Sequence, residues 1–366
     1  MSVTSQPGIH IAGVTKAGHG PIVEIINPAT GEVIDALSSA SPMDVAEATD
    51  SARQAQHSWA RKTPGERSKI LLDLASLIES NSEYLTQLEV NETGKPRAVF
   101  QDGELPFAAD NLRFFAGAGR SLEGTAAAEL SQGFTSLLMR QPIGVIGSIA
   151  PWNFPLIMAI WKIGPALATG NAVVLKPAPN TPRSSLRLAE LAIEAGLPPG
   201  LLNVVTGGNA VGEALVIDPN TSMISITGST RAGQAVMAAA SPFVKRLHLE
   251  LGGKAPALVF PDADIESMAR ALTLGATYNT GQDCTAATRV YARKISIKTW
   301  WIHWLQLWPK SKLGIRGPVI PILVLSSAPR IWIVCMVLFH APSKLAPRSP
   351  LAANVWTRPA ITTHQR

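Results

Sequence analysis

The sequence predicts an α/β fold built on a doubly wound, mainly parallel sheet. Two observations carry this. Between residues 145 and 251, five short runs rich in β-branched residues recur, and segments of helical length separate most of them. Such strand–helix–strand repetition covers a parallel sheet on both faces. The chain length of 366 residues also suffices for two domains and a sizeable core.

Element by element, the first 120 residues read as mostly helical. Ser41-Pro42-Met43-Asp44 and Thr63-Pro64-Gly65-Glu66 read as capped helix starts, with proline at the first helical position and an acid two residues later. After the second, Ile70, Leu71, Leu74, Leu77 and Ile78 recur on one helical face. The strand candidates follow: VIGSIA (145–150), AVVLK (172–176), LNVVTG (202–207), MISITG (223–228) and LHLEL (247–251). LIMAIWKIGPALA and SSLRLAELAIEAG fill helical intervals between them, the latter stopping at Gly196 before two prolines. Residues 123–142 break the helical rhythm and read as an excursion.

Charge is unevenly distributed. The formal net charge is +6, yet after Ile295 there are nine Lys/Arg and no Asp or Glu, so the body carries 23 basic against 26 acidic residues. A mildly acidic body without a basic, aromatic-interleaved stripe argues against a nucleic-acid partner. Two cysteines, Cys284 and Cys335, make no disulfide framework and fit a reducing cytoplasm. The longest apolar stretch, 318–339, is broken by Pro321, Pro329 and Arg330, which argues against a membrane span.

Five stretches carry chemistry, and each has a plainer alternative. ITGSTRAG (226–233) runs a strand into glycine and a helix start, as a pyrophosphate turn does, but an ordinary strand-to-helix turn looks the same. Lys176 ends a strand, where it can reach a ribose oxygen or simply be a solvated charge. PWNFPL (151–156) pins Asn153 between prolines as a fixed amide donor, or is a proline turn with a buried Trp152. Glu250, in LELGGKAP (249–256), is a general-base candidate or a strand-end glutamate facing water. Cys284, in the polar turn NTGQDCT, is a nucleophile or a small buried hydrophobe.

The order and spacing of these stretches together resemble the aldehyde dehydrogenase superfamily from about Ile25 through Arg293. The resemblance rests on PWNFP, VVLKP, ITGST, LELGGKAP and GQDC. It implies that Cys284 attacks an aldehyde, that Asn153 and the Cys284 backbone N–H hold the oxyanion, and that Glu250 activates water. It further implies that Trp152, Lys176, Gly228, Ser229 and Gly233 bind the dinucleotide, and that Phe154, Trp161 and Glu104 face the substrate. No metal is implied. NAD is the implied cofactor, with NADP also possible, because Pro179 stands where many members have a ribose-gripping glutamate.

GQDCTAATR and DGELPFAADNLRFFAGAGRSLEG look most like the γ-aminobutyraldehyde and betaine-aldehyde branch, where Glu104 would attract a cationic tail. The implied domains are a dinucleotide-binding domain at 1–122 and 143–253, an oligomerisation excursion at 123–142, and the start of a catalytic domain at 254–294. Residues 295–366 depart from the pattern. Six of the nine tryptophans fall there, among no acids, which suggests a change of reading frame or a divergent module. The family assembles as a homo-oligomer; the altered tail predicts that this chain does not do so regularly and oxidises aldehyde poorly.

Overall fold

Both expected helix starts form. In α1 (Pro42–Arg61) and α2 (Pro64–Ser80), Ser41 and Thr63 accept the N3 backbone N–H while Asp44 and Glu66 return the bond to the cap N–H. These boxes satisfy N–H groups that a helix start otherwise leaves without partners. The structure, a computed structural model, describes residues 6–124, 127–293 and 331–335.

The first 120 residues are mostly helical, as expected, but strands precede the helices. Before α1 the chain forms five short strands: β1 (Gln6–Pro7), β2 (Ile9–Ile11), β3 (Val14–Lys16), β4 (Ile22–Ile26) and β5 (Val33–Ser38). The first three have two or three residues, too few to show a period of two, and β2 is a strand because it pairs antiparallel with residues nearly two hundred positions away. Helices α3 (Ser82–Thr93) and α4 (Leu105–Ala118) follow, joined through a π-helical turn at Val99–Glu104. Gly94 ends α3 in the left-handed region, φ 71°, and its N–H reaches Val90 O.

Asp44 also takes the backbone and ring N–H of His19, at 3.0 and 2.6 Å. Burial opposes its ionisation, but hydrogen bonds from Ser41 and His19 prevail and hold its pKa at about 2. A depressed carboxyl adds stability above its unfolded value, lost as pH falls through the folded one. Asp44→Asn is therefore expected to lower the melting temperature at neutral pH and to flatten the stability loss between about pH 4 and pH 2. Calorimetric melting across that range checks it.

Within 123–142, β6 (Ala127–Ser131) pairs antiparallel with β7 (Phe134–Leu137) as a ribbon, and Leu130, Phe134, Leu137 and the following Met139 are exposed. The main sheet then builds: β8 (Val145–Ile149), α5 (Pro155–Ala168), β9 (Ala172–Lys176), α6 (Arg183–Glu194), β10 (Leu202–Val205), α7 (Asn209–Ile217), β11 (Thr221–Gly228), α8 (Thr230–Ala240) and β12 (Arg246–Leu251). Its order is β12-β11-β8-β9-β10-β2-β3, with the first five strands parallel. β9 and β10 are buried along their whole length, as strands covered by helices on both faces must be.

The chain divides into two units, residues 1–253 with 282–284, and residues 254–281 with those from 285 onward. In the second unit, β13 (Ala255–Val259) pairs parallel with β14 (Ala287–Arg293), which pairs antiparallel with β15 (Ile331–Cys335). There α9 (Ile265–Thr277) packs Ala269, Leu272 and Ala276 against Val259 and Val290. Asn279 and Thr280 hold φ of 49° and 59°, a strained setting for a β-branched threonine. Apart from β15, the tail at 295–366 lies outside the described residues, and so does the expected change of reading frame. Among the described residues, no helix is long and apolar enough to cross a membrane.

Candidate active site

From β8 the chain steps through β9 to β10 on one side, and the later strands β11 and β12 lie on the other. Strand order reverses between β8 and β11, and a doubly wound sheet binds ligands beyond the carboxyl ends at that point. A cavity of about 610 Å³ lies there, lined by Ile149, Lys176, Glu213, Ile226, Ser229 and Arg231 among others. Its size and its cations, Lys176 at the end of β9 and Arg231 in the first turn of α8, fit a dinucleotide. A larger cavity, about 890 Å³, lies at the foot of the ribbon and contains none of the expected site residues.

Lys176 is 6% exposed, so it is not a solvated surface charge. Burial draws its pKa down to about 8, and its ammonium donates to Pro177 O at 3.3 Å. Ser229 caps α8, accepting Ala232 N–H at 3.2 Å. Gly228 ends β11 directly before that cap, and Gly233 packs closely: a Cβ there would lie 2.8 Å from the Leu251 side chain.

Glu250 lies on β12 opposite Thr227 of β11. The return of residues 282–284 to this unit sets Cys284 against it, and the thiol hydrogen-bonds the Glu250 carboxylate. Burial first, then the charges of Glu250 and Asp283, push the Cys284 thiol up to about 11. The resting sulfur is therefore a thiol with a carboxylate acceptor. Asn153 donates from Nδ2 to Gln282 O at 2.8 Å, so the proline-pinned turn holds the segment bearing the cysteine.

The expected substrate residues separate. Phe154 is 8% exposed and forms the N-cap position of α5, while Trp152 is exposed in the turn before it. Trp161 is exposed on α5, donates to Asn111 Oδ1 at 3.1 Å and meets Phe107 edge-on at 6.4 Å. Glu104 is neither a solvated loop carboxylate nor an open cation seat. It is buried, and its carboxylate takes the Lys95 ammonium at 2.5 Å.

Sequence reasoning missed Lys162, whose Nζ donates to Ser225 Oγ at 3.0 Å. Burial lowers it to about 8, against the pull of Glu250. Its signal was available, since it is the sole charge in the apolar run 155–168. Glu89, Lys95, Phe107 and Asn111 were also missed. Among the described residues no cluster suits a metal ion.

The aldehyde dehydrogenase family model matches residues 14–302, extending the resemblance at both ends. The chain belongs to the aldehyde dehydrogenase family. It is 45% identical over 275 residues to a betaine aldehyde dehydrogenase of Cereibacter sphaeroides, covering 75% of this chain and 56% of that one. An aldehyde dehydrogenase of Alternaria alternata is 40% identical over 282 residues, covering 76% and 56%. Among solved structures, the NAD+ complex of an aldehyde dehydrogenase from Bacillus cereus superposes with a TM-score of 0.81 at 36% identity, over 84% of this chain and 63% of that one. An NAD-dependent aldehyde dehydrogenase from Sinorhizobium meliloti gives 0.81 at 37%, over 84% and 62%. The chain thus spans somewhat over half the length of these relatives.

Proposed function

We propose that this chain oxidises an aldehyde to its carboxylic acid through a Cys284 thioester, with NAD as cofactor. One observation carries the reading: the thiol of Cys284 is hydrogen-bonded to Glu250, on a segment that Asn153 holds. As Sγ bonds to the carbonyl carbon, the thiol proton passes to Glu250, and the new oxyanion is met by the Asn153 amide and the Cys284 N–H. Bound beyond Lys176 and Ser229, the dinucleotide would supply the hydride acceptor that turns the adduct into a thioester. Glu250, once it has released the thiol proton to solvent, takes a proton from water as the water attacks the thioester and returns it to the departing sulfur, which frees the acid.

The substrate we infer is an aminoaldehyde, in line with the betaine aldehyde dehydrogenase likeness. With Glu104 engaged by Lys95, the exposed rings of Trp161 and Phe107 are better placed to attract a cationic tail. Pro179 offers no acceptor to a 2′-hydroxyl and no charge against a 2′-phosphate, so NADP is a second cofactor to test. The exposed apolar ribbon is the assembly face we infer, and the cytoplasm the compartment, where Cys284 stays reduced. NADH formation by the purified chain with γ-aminobutyraldehyde, betaine aldehyde and a neutral aldehyde tests the activity. No NADH with any of them refutes it.

The coverage of the relatives favours a second reading, a remnant that binds dinucleotide without turnover. Lys176, Ser229 and their strands belong to the first unit, so binding does not require the tail. Lys176→Ala is expected to weaken NAD about tenfold or more, the worth of a hydrogen bond to a charged group. Calorimetry measures this; an unchanged Kd removes Lys176 from the site.

A further inference from the structure

We propose that a buried triad, Glu89–Lys95–Glu104, is a positioning device that holds the Asn153 turn and, through it, the segment bearing Cys284. What Asn153 does rests on the function proposed above; where it is held does not.

Lys95 Nζ lies 2.5 Å from Glu104 Oε2 and 3.5 Å from Glu89 Oε2, and all three side chains are essentially inaccessible to solvent. Glu89 turns its other oxygen to the catalytic turn: Oε1 accepts Leu156 N at 2.9 Å and Ser184 Oγ at 2.6 Å. Leu156 sits in the first turn of α5, whose N-cap Phe154 makes no side-chain cap bond, so a carboxylate from α3 caps it instead. The Lys95 ammonium lies 5.0 Å from the Phe154 ring centroid and 5.5 Å from that of Phe100. Both elements just after Asn153 are thus gripped by the triad, and Asn153 in turn holds Gln282, two residues before Cys284.

The charge count argues for more than packing. A buried ion pair is at best a small gain over apolar groups, and a second carboxylate leaves the site net negative. Glu104 is pushed up to about 7 by burial first; Lys95 opposes this, and Glu89 and Asp283 add repulsion. The charged groups facing Glu104 are therefore Lys95, Glu89 and Asp283, and Asp283 adjoins Cys284. Loss of the Glu104 proton at neutral pH draws Lys95 more firmly between two carboxylates and changes the field at that segment.

The test reads the thiol directly. The full 366-residue chain is treated with iodoacetamide from about pH 6 to about pH 9, a window spanning neutral titrations. Mass spectrometry of the Cys284 peptide follows its alkylation apart from that of Cys335. The native chain should show an inflection near neutrality superposed on the rise toward thiolate. Glu104→Gln should lose that inflection, and Lys95→Met and Glu89→Gln should each change the rate by about fivefold, a typical coupling effect. Circular dichroism and NAD affinity identify folded variants. Should Lys95→Met fail to fold, the nearly isosteric Glu104→Gln decides. An inflection kept in Glu104→Gln overturns the proposal, as do native rates in folded Lys95→Met and Glu89→Gln. A chain that forms no NADH yet shows these effects refutes the activity and keeps the triad.

Discussion

Cys284→Ser is expected to abolish acid formation, lowering turnover at least about a thousandfold while leaving NAD affinity unchanged. The reason lies in the resting state of the site. With its pKa near 11, the thiol is protonated at neutral pH and depends on Glu250 to take the proton as the carbon–sulfur bond forms. A serine hydroxyl in the same place is a far weaker acid, and its oxygen is a poorer nucleophile and leaving group. Steady-state NADH formation, with calorimetry on the same sample, separates lost chemistry from lost binding. Full turnover by the serine variant would remove the thioester route altogether.

Glu250→Gln should produce two opposite effects. Burial is the first cause of the raised Cys284 pKa, and the Glu250 charge is the second. Removing that charge leaves desolvation in place but lowers the pKa, so thiolate is more abundant at any pH below it. Alkylation at neutral pH should therefore quicken by about threefold to tenfold, the effect of one neighbouring charge. Acid release should meanwhile fall by about a hundredfold or more, because water loses its general base. After mixing with aldehyde and NAD, intact-mass measurement should find the acyl group retained on Cys284. Slower alkylation in the variant would show that Glu250 is not what holds the thiol back.

Much of the fold was legible because its signals are local. The capping boxes at Ser41 and Thr63 involve residues three apart, and the strands β8, β9 and β10 are continuous runs whose burial on both faces is written in their side chains. The short strands before α1 were not legible. β2 owes its conformation to β10, and its three residues carry no periodicity of their own.

The candidate site shows the same division. The chemical inventory is readable along the chain: Cys284 in a polar turn, Asn153 between prolines, Glu250 at a strand end and Lys176 before Pro177. Side-chain chemistry and local backbone restraint belong to the residues that carry them. The states and partners of those groups come from the folded chain. It made Cys284 a thiol on Glu250, set Gly233 close against Leu251, and turned Glu104 from a loop carboxylate into a buried partner of Lys95. Desolvation and Coulomb interaction depend on what surrounds a group in space, and residues brought together from distant parts of the chain supply those surroundings.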